Sequence, residues 1–342
     1  MDNRAVIGAN KDIGDKTMLS NLYLATNNGL WIAEHNECEW LVASHALERH
    51  QVTSVIAREG VILAGTRQGV FRSTDGGHAW HEASTGLALK HVRWLAYHPD
   101  QSDVEYAGTE PAAIFVSHNG AESWRQCVEV ANLRDRFGWY LPYSPEAGCI
   151  RGFAFHGQRT YAAVEVGGLL RSDDGGEHWA LAAGSDGIPR FGTPAGGFVH
   201  PDVHSVVVHP SSPDLVYCPT GGGFYRSVDG GRTWTLRYTC YCRAVWVDPL
   251  DPDHIILSPA DNVDRNGRIE ESKDGGISWN LASNGVEVPW AQSMVERFVQ
   301  VDDQLLAVLS NGQLLVAALA TLTWRRILRE IVNVNAASIM SS

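Results

Sequence analysis

Seven short apolar runs carry a polar or small residue at their second position, where an interior strand needs none. Three of these residues are arginines: Arg93 in Val92-Arg93-Trp94-Leu95, Arg151 in Ile150-Arg151-Gly152-Phe153, and Arg243 in Cys242-Arg243-Ala244-Val245. The runs from Val203, Val295, Val52 and Val334 place His204, Glu296, Thr53 and Asn335 there. Planar guanidinium groups suit a carboxylate or phosphate, so the first expectation is a cationic cup for an anion. A second set closes the next apolar run of each unit: Asn27, Arg67, Glu110, Glu165, Gly221, Asp261 and Asn311. Glu110 and Glu165 fall in consecutive units. Side by side in a buried site, two carboxylates could titrate apart and serve as acid and base. Paired with Arg93 and Arg151, they would instead form an inert ion-pair network. His91 precedes Arg93 by two residues, and His200 and His204 flank a third run. The set His91, His204, Glu110 and Glu165 has the donor types for a divalent metal ion. Trp94, Trp139 and Tyr140, with Phe137 and Tyr143, could stack on a planar or sugar ring.

These residues need a scaffold that brings all seven units to one place. The stretch Ser172 to Trp179 reads Ser-x-Asp-x-Gly-x-x-Trp. It recurs at Ser73 to Trp80, Ser227 to Trp234 and Ser272 to Trp279, and with Asn119 for Asp at Ser117 to Trp124. Ser and Asp side chains bond turn amides, Gly supplies positive φ, and Trp anchors the next strand. The anchor tryptophans are Trp40, Trp80, Trp124, Trp179, Trp234, Trp279 and Trp324, spaced by 40 to 55 residues. Units of that length with four short apolar strands each predict an all-β, seven-bladed β-propeller. The first unit lacks its first strand, and Val334 to Ile339 matches the missing segment, so the C-terminal strand is expected to join blade one and close the ring. Residues 1–20 read as an N-terminal extension and 21–342 as the propeller. Insertions at 129–148 and 184–202 should emerge on the channel-mouth face, which is the default ligand site. His98 and His209, in His-Pro turns, read as structural.

The turns resemble those of the BNR (bacterial neuraminidase) or Asp-box repeat propellers, over roughly residues 21–340. That group includes sialidases, xyloglucan-degrading glycosidases, sortilin-type receptors and photosystem assembly factors. The resemblance implies the fold and leaves the activity open among enzymes, receptors and scaffolds. It does not extend to the sialidase signature: seven units replace six, and no Arg-Ile-Pro segment occurs.

A net charge of −12 with no basic cluster excludes nucleic acid and anionic membrane as expected partners. No segment is apolar enough to span a bilayer, and the N-terminal residues lack a signal-peptide core, which predicts a cytoplasmic protein. Six cysteines without a Cys-x-x-Cys pair read as reduced thiols. Cys240 and Cys242 share a strand face, and Cys127 and Cys149 bracket an insertion that a disulfide would span only in an oxidising compartment. No nucleotide or flavin motif is present, which leaves a divalent metal as the cofactor the donors would suit. The expectation is therefore an enzyme of hydrolase or lyase type acting on a small anionic or polar molecule. Arg93, Arg151 and Arg243 would bind it, with Trp94, Asp261, Trp139 and Tyr140 contributing. Glu110, Glu165, His91 and His204 would move protons or hold a metal. The alternatives are a scaffold with a protein partner on the loop-rich face, and a carbohydrate-binding or glycosidase-like protein.

Overall fold

The turn at Ser172 shows how the repeated residues work. The Ser172 hydroxyl donates to Asp174 Oδ1 at 2.7 Å and accepts the Gly176 amide at 2.9 Å. Asp174 Oδ1 also accepts the His178 amide at 3.0 Å, and Trp179 Nε1 donates to the Gly176 carbonyl at 2.9 Å. Gly176 sits at φ 87°, where a side chain is strained. A Cβ there would also lie 2.5 Å from the Tyr106 ring. The same bonds recur at Ser73, Ser227 and Ser272. Asn119 makes the equivalent set with its side-chain oxygen.

The computed structural model describes residues 20–36, 39–144, 146–190, 192, 194 and 196–341. Residues 1–19 of the expected extension, and Cys38, lie outside the described residues. Seven four-stranded antiparallel sheets make seven blades. Blade one contains Ser20–Thr26, Gly29–Asn36 and Glu39–Ala46, and the C-terminal strand Val334–Ser341 pairs with Ser20–Thr26 to complete it. The other inner strands are Val52–Arg58, Val92–Tyr97, Cys149–His156, Val207–Val208, Tyr241–Asp248 and Val295–Val301. An apolar cluster fills each seam between neighbouring blades. At the closing seam Leu22 and Leu24 of blade one meet Leu306 and Val308 of blade seven, all 0% exposed. Each such side chain contributes about 1.5–3 kcal/mol by burial, so the last seam is as well packed as the rest.

Two elements depart from expectation. The 129–148 insertion, expected as a loop, opens with the helix Val128–Phe137, which Gly138 terminates at φ 64°. The helix packs Val130 and the half-buried Leu133 into the seam of blades three and four. The inner strand of blade five, expected from Val203 to Val208, pairs regularly only at Val207–Val208, with an isolated Val203–Thr220 bridge before it. Cys127, Cys149, Cys218, Cys240 and Cys242 are free thiols, so no bond joins Cys127 to Cys149. Among the described residues, no helix is long and apolar enough to cross a membrane.

One irregularity repeats around the ring and sets up the site. In blade three, Val92 pairs with Thr109 and Trp94 with Gly108, which leaves Arg93 without a partner. Thr53, Arg151, Glu296 and Asn335 are bypassed in the same way. One extra residue also interrupts the ladders after Cys242 and after Val203. A bulge releases its residue from the pleat and re-aims it. This is how a ring of packed inner strands can turn charged side chains into a channel.

Candidate functional site

The bulged residues surround a cavity of about 440 Å³ at one mouth of the channel. Its walls include Thr53, Arg67, His91, Arg93, Trp94, Tyr143, Arg151, Glu165, Arg243, Glu296, Arg297 and Asn335. Much of its charge is paired. Arg93 Nη1 donates to Glu110 Oε2 at 2.6 Å, and the Ser144 hydroxyl donates to Glu110 Oε1 at 2.9 Å. Arg151 reaches Glu165 at 3.6 Å and Glu296, in blade seven, at 3.1 Å. Arg243 bonds the other oxygen of Glu296, lies 3.8 Å from Asp264, and donates to Tyr241 Oη from Nε at 3.3 Å. Site and ion-pair network are thus one arrangement, with space left inside it.

Arg297 stands outside the pairing. Neither it nor the exposed rim residue Arg67 has a carboxylate within 4.0 Å among the described residues. Arg297 follows the Glu296 bulge and crosses from blade seven to stack on Trp94 of blade three, its guanidinium carbon 3.9 Å from the ring centroid. Burial and the charge of Arg151 hold its pKa down to about 9, against the opposing pull of Glu296, with Arg93 adding to the repulsion. A guanidinium that carries its charge at such a cost faces the cavity without a counter-charge among the described residues. Sequence reasoning missed it because one inward residue per strand was counted. The signal was present: the third residues of the seven runs are Ser54, Trp94, Gly152, Ser205, Ala244, Arg297 and Ala336, and only one is charged.

Glu110 and Glu165 are held by different arginines and have different surroundings. Burial opposes the charge on Glu165, but Arg151, then His204, then hydrogen bonds from Cys149 and Tyr143 outweigh it and hold its pKa at about 2. It is a carboxylate at neutral pH, so of the two expected roles it cannot be the acid. His91 Nδ1 lies 3.9 Å from Glu110 Oε2. Burial takes its pKa down to about 4, with Arg93 and Arg67 acting in the same direction and Glu110 against. His91 is therefore neutral, and its buried Nε2 has no hydrogen-bond partner.

The expected metal set is divided. His91 and Glu110 stay with Arg93, while Glu165 and His204 meet Asp202, a residue of the second insertion that the sequence did not single out. His200, also from that insertion, accepts the Asp202 amide at Nδ1, 3.2 Å away. Of the expected aromatic roof, Tyr143 reaches the cavity. Trp139 is 3% exposed, donates to the Gly187 carbonyl at 2.9 Å and packs in the core of blades three and four, out of reach of a ligand. Tyr140 is 40% exposed and is not part of the cavity wall. Asp261 lines a separate hollow with Arg268 and accepts from Asn266 Nδ2 at 2.8 Å. His98 and His209 are buried in turn hydrogen bonds, to the Asp100 amide and the Asp248 carbonyl.

No family model matches the sequence, and no curated protein matches it. Solved structures do. An ancestral GH74 enzyme aligns with 94% of this chain at 18% identity and a TM-score of 0.59. The chain spans 40% of that enzyme's length. A GH74 enzyme from Niastella koreensis aligns with 93% of the chain and 52% of its own, at 17% identity and a TM-score of 0.60. YCF48 bound to D1 peptide aligns over 91% of both chains at 13% identity and a TM-score of 0.56. The likeness is one of fold. At these identities it carries no site residues across, and the chemistry must come from the cavity itself.

Proposed function

We propose that this protein binds a small organic anion, a carboxylate or phosphate ester, in the channel mouth and acts on it by proton transfer, as a hydrolase or lyase. The observation that carries the reading is Arg297, a half-buried guanidinium without an ion pair among the described residues, in a cavity it shares with Arg93 and Arg151. An anion bound there would gain charge-assisted hydrogen bonds and relieve the repulsion among the three arginines. Neutral His91, which lines the cavity beside Glu110, is the group placed to take a proton. Arg93 and Arg297 would stabilise the negative charge that develops as it does so. Glu110 would balance the imidazolium formed, and Glu165 would remain ionised throughout.

The test is a panel of organic anions, including hydroxy acids, sugar acids and phosphate esters, compared at constant ionic strength by thermal shift. Hits are then followed by NMR for turnover. Stabilisation by a subset of the anions, lost in Arg297→Met, supports the reading. A panel no better than chloride removes it.

Two other readings have an observation behind them. YCF48, which binds D1 peptide, aligns with 91% of this chain, which favours a scaffold that takes a protein segment on its loop-rich face. In that case binding occurs without turnover. The GH74 neighbours, together with turns like those of BNR repeats, favour a carbohydrate ligand, and turnover of a sugar acid would bring that reading and the anion reading together.

A further inference from the structure

Beside the anion cavity lies a second one, of about 380 Å³, which shares Tyr143, Glu165 and Arg243 with it. Into it project Asp202 and His200 from the second insertion, and Tyr241 from blade six. We infer that Glu165, Asp202 and His204 form a binding site for a divalent transition-metal ion at this junction.

Four observations support the inference. One oxygen or nitrogen from each residue lies within 4.8 Å of the others, and all three residues are buried. Donors around a bound ion with ligand bonds of about 2.1 Å are roughly 3–4 Å apart, so a small inward movement of side chains suffices. His204 Nδ1 lies 2.8 Å from the Cys242 carbonyl, an acceptor only, so this nitrogen carries the proton. That bond orients the ring in the manner of a metal-ligating histidine. His204 Nε2 lies 3.2 Å from Asp202 Oδ2 and 3.3 Å from the Tyr241 hydroxyl. A neutral ring would face the carboxylate with a lone pair, so a positive charge, a proton or a metal ion, belongs between or on them.

Asp202 Oδ1 provides the third observation. It is buried with no hydrogen-bond partner, in a residue 7% exposed that lines the cavity. Leaving a carboxylate oxygen dry and unpaired is costly unless a cation takes it. The fourth is the space itself. Gly221 occupies the slot where other blades place Glu110, Glu165 or Asp261, and a Cβ on it would lie 2.2 Å from Asp202 Oδ2. The missing side chain in blade five is what admits the carboxylate. One imidazole and two carboxylates suit Zn²⁺ or Mn²⁺, with coordination left for water or ligand.

The test uses the full chain after chelator treatment. Zn²⁺ and Mn²⁺ are titrated separately by calorimetry, and Mn²⁺ uptake is read by electron paramagnetic resonance. The expected result is one ion per chain, with binding weakened tenfold or more by Asp202→Asn and by His204→Gln. Arg297→Met should take the ion as the parent does, which separates this site from the anion reading. A crystal of the parent protein soaked in Zn²⁺ needs no variant to fold, and an anomalous peak among the three side chains is expected. No uptake by the parent, binding that changes less than tenfold in both variants, or a soaked crystal without that peak would overturn the assignment. A doubly protonated His204 in protein that takes up no metal, seen by ¹⁵N NMR, would show that a proton supplies the charge instead.

Discussion

Replacing Arg297 by Met should make the protein more stable and less able to bind anions. The distance between the ordinary guanidinium value and about 9 corresponds to about 5 kcal/mol against the charge in the folded state. Methionine keeps an unbranched apolar stem over Trp94 and removes the charge. The stacking lost is worth about 1–2 kcal/mol, and the repulsion is partly screened by water in the cavity. The net gain should be about 1–3 kcal/mol. For 342 residues, each kcal/mol moves the melting temperature by roughly 1–2 °C, so Arg297→Met should melt roughly 1–6 °C higher without ligand. With an anion at one hundred times the parent's dissociation constant, the parent gains about 2.7 kcal/mol and the variant only about 0.4–1.4, so the gap between them closes by about 1–2 kcal/mol. Affinity should fall about 10- to 100-fold in Arg297→Met, the loss of one charge-assisted bond. Differential scanning calorimetry with and without anion reads both effects. A variant that is less stable than the parent and keeps the anion response would refute the reasoning, because Arg297 would then be a packing residue.

Glu296→Gln should act in the opposite direction. It leaves Arg151 and Arg243 without their shared carboxylate, costs about 3–5 kcal/mol in urea denaturation, and tightens anion binding in calorimetry. His91 makes stability depend on pH. Its folded pKa, about 4, lies below the unfolded value near 6.5, so between these the unfolded chain binds the extra proton. The contribution is fully present above pH 6.5 and falls away towards pH 4, and denaturation curves of His91→Gln should lack that part of the slope. Ser172→Ala removes a buried hydroxyl that accepts the Gly176 amide and donates to Asp174, and should cost about 1–3 kcal/mol in denaturation while leaving anion affinity unchanged.

The fold was legible because its signal is local. Ser172, Asp174, Gly176 and Trp179 satisfy one another within eight residues, so the repeat shows in one dimension what the blade does in three. The helix Val128–Phe137 was less visible, although Arg134 and Arg136 in its last turn and Gly138 after it are a helix C-terminal signature. Residues at the bulges were found by aligning strands, which placed Arg93, Arg151 and Arg243 on one cavity. Arg297 was missed because a bulge turns two neighbours inward, and periodicity of two counts only one of them. Asp202 was missed because it belongs to an insertion, where no register applies. Its clue was negative: a glycine, Gly221, in a slot that the neighbouring blades fill with Glu165 and Asp261.

We propose the channel mouth as a built anion site. The most direct measurement is a crystal of the full chain soaked in sodium selenate, with selenium located by anomalous scattering. A peak is expected in the cavity within hydrogen-bond distance of Arg297 and Arg93, and its loss in Arg297→Met. Selenate bound only at surface lysines and arginines, with the cavity holding water alone, would contradict it.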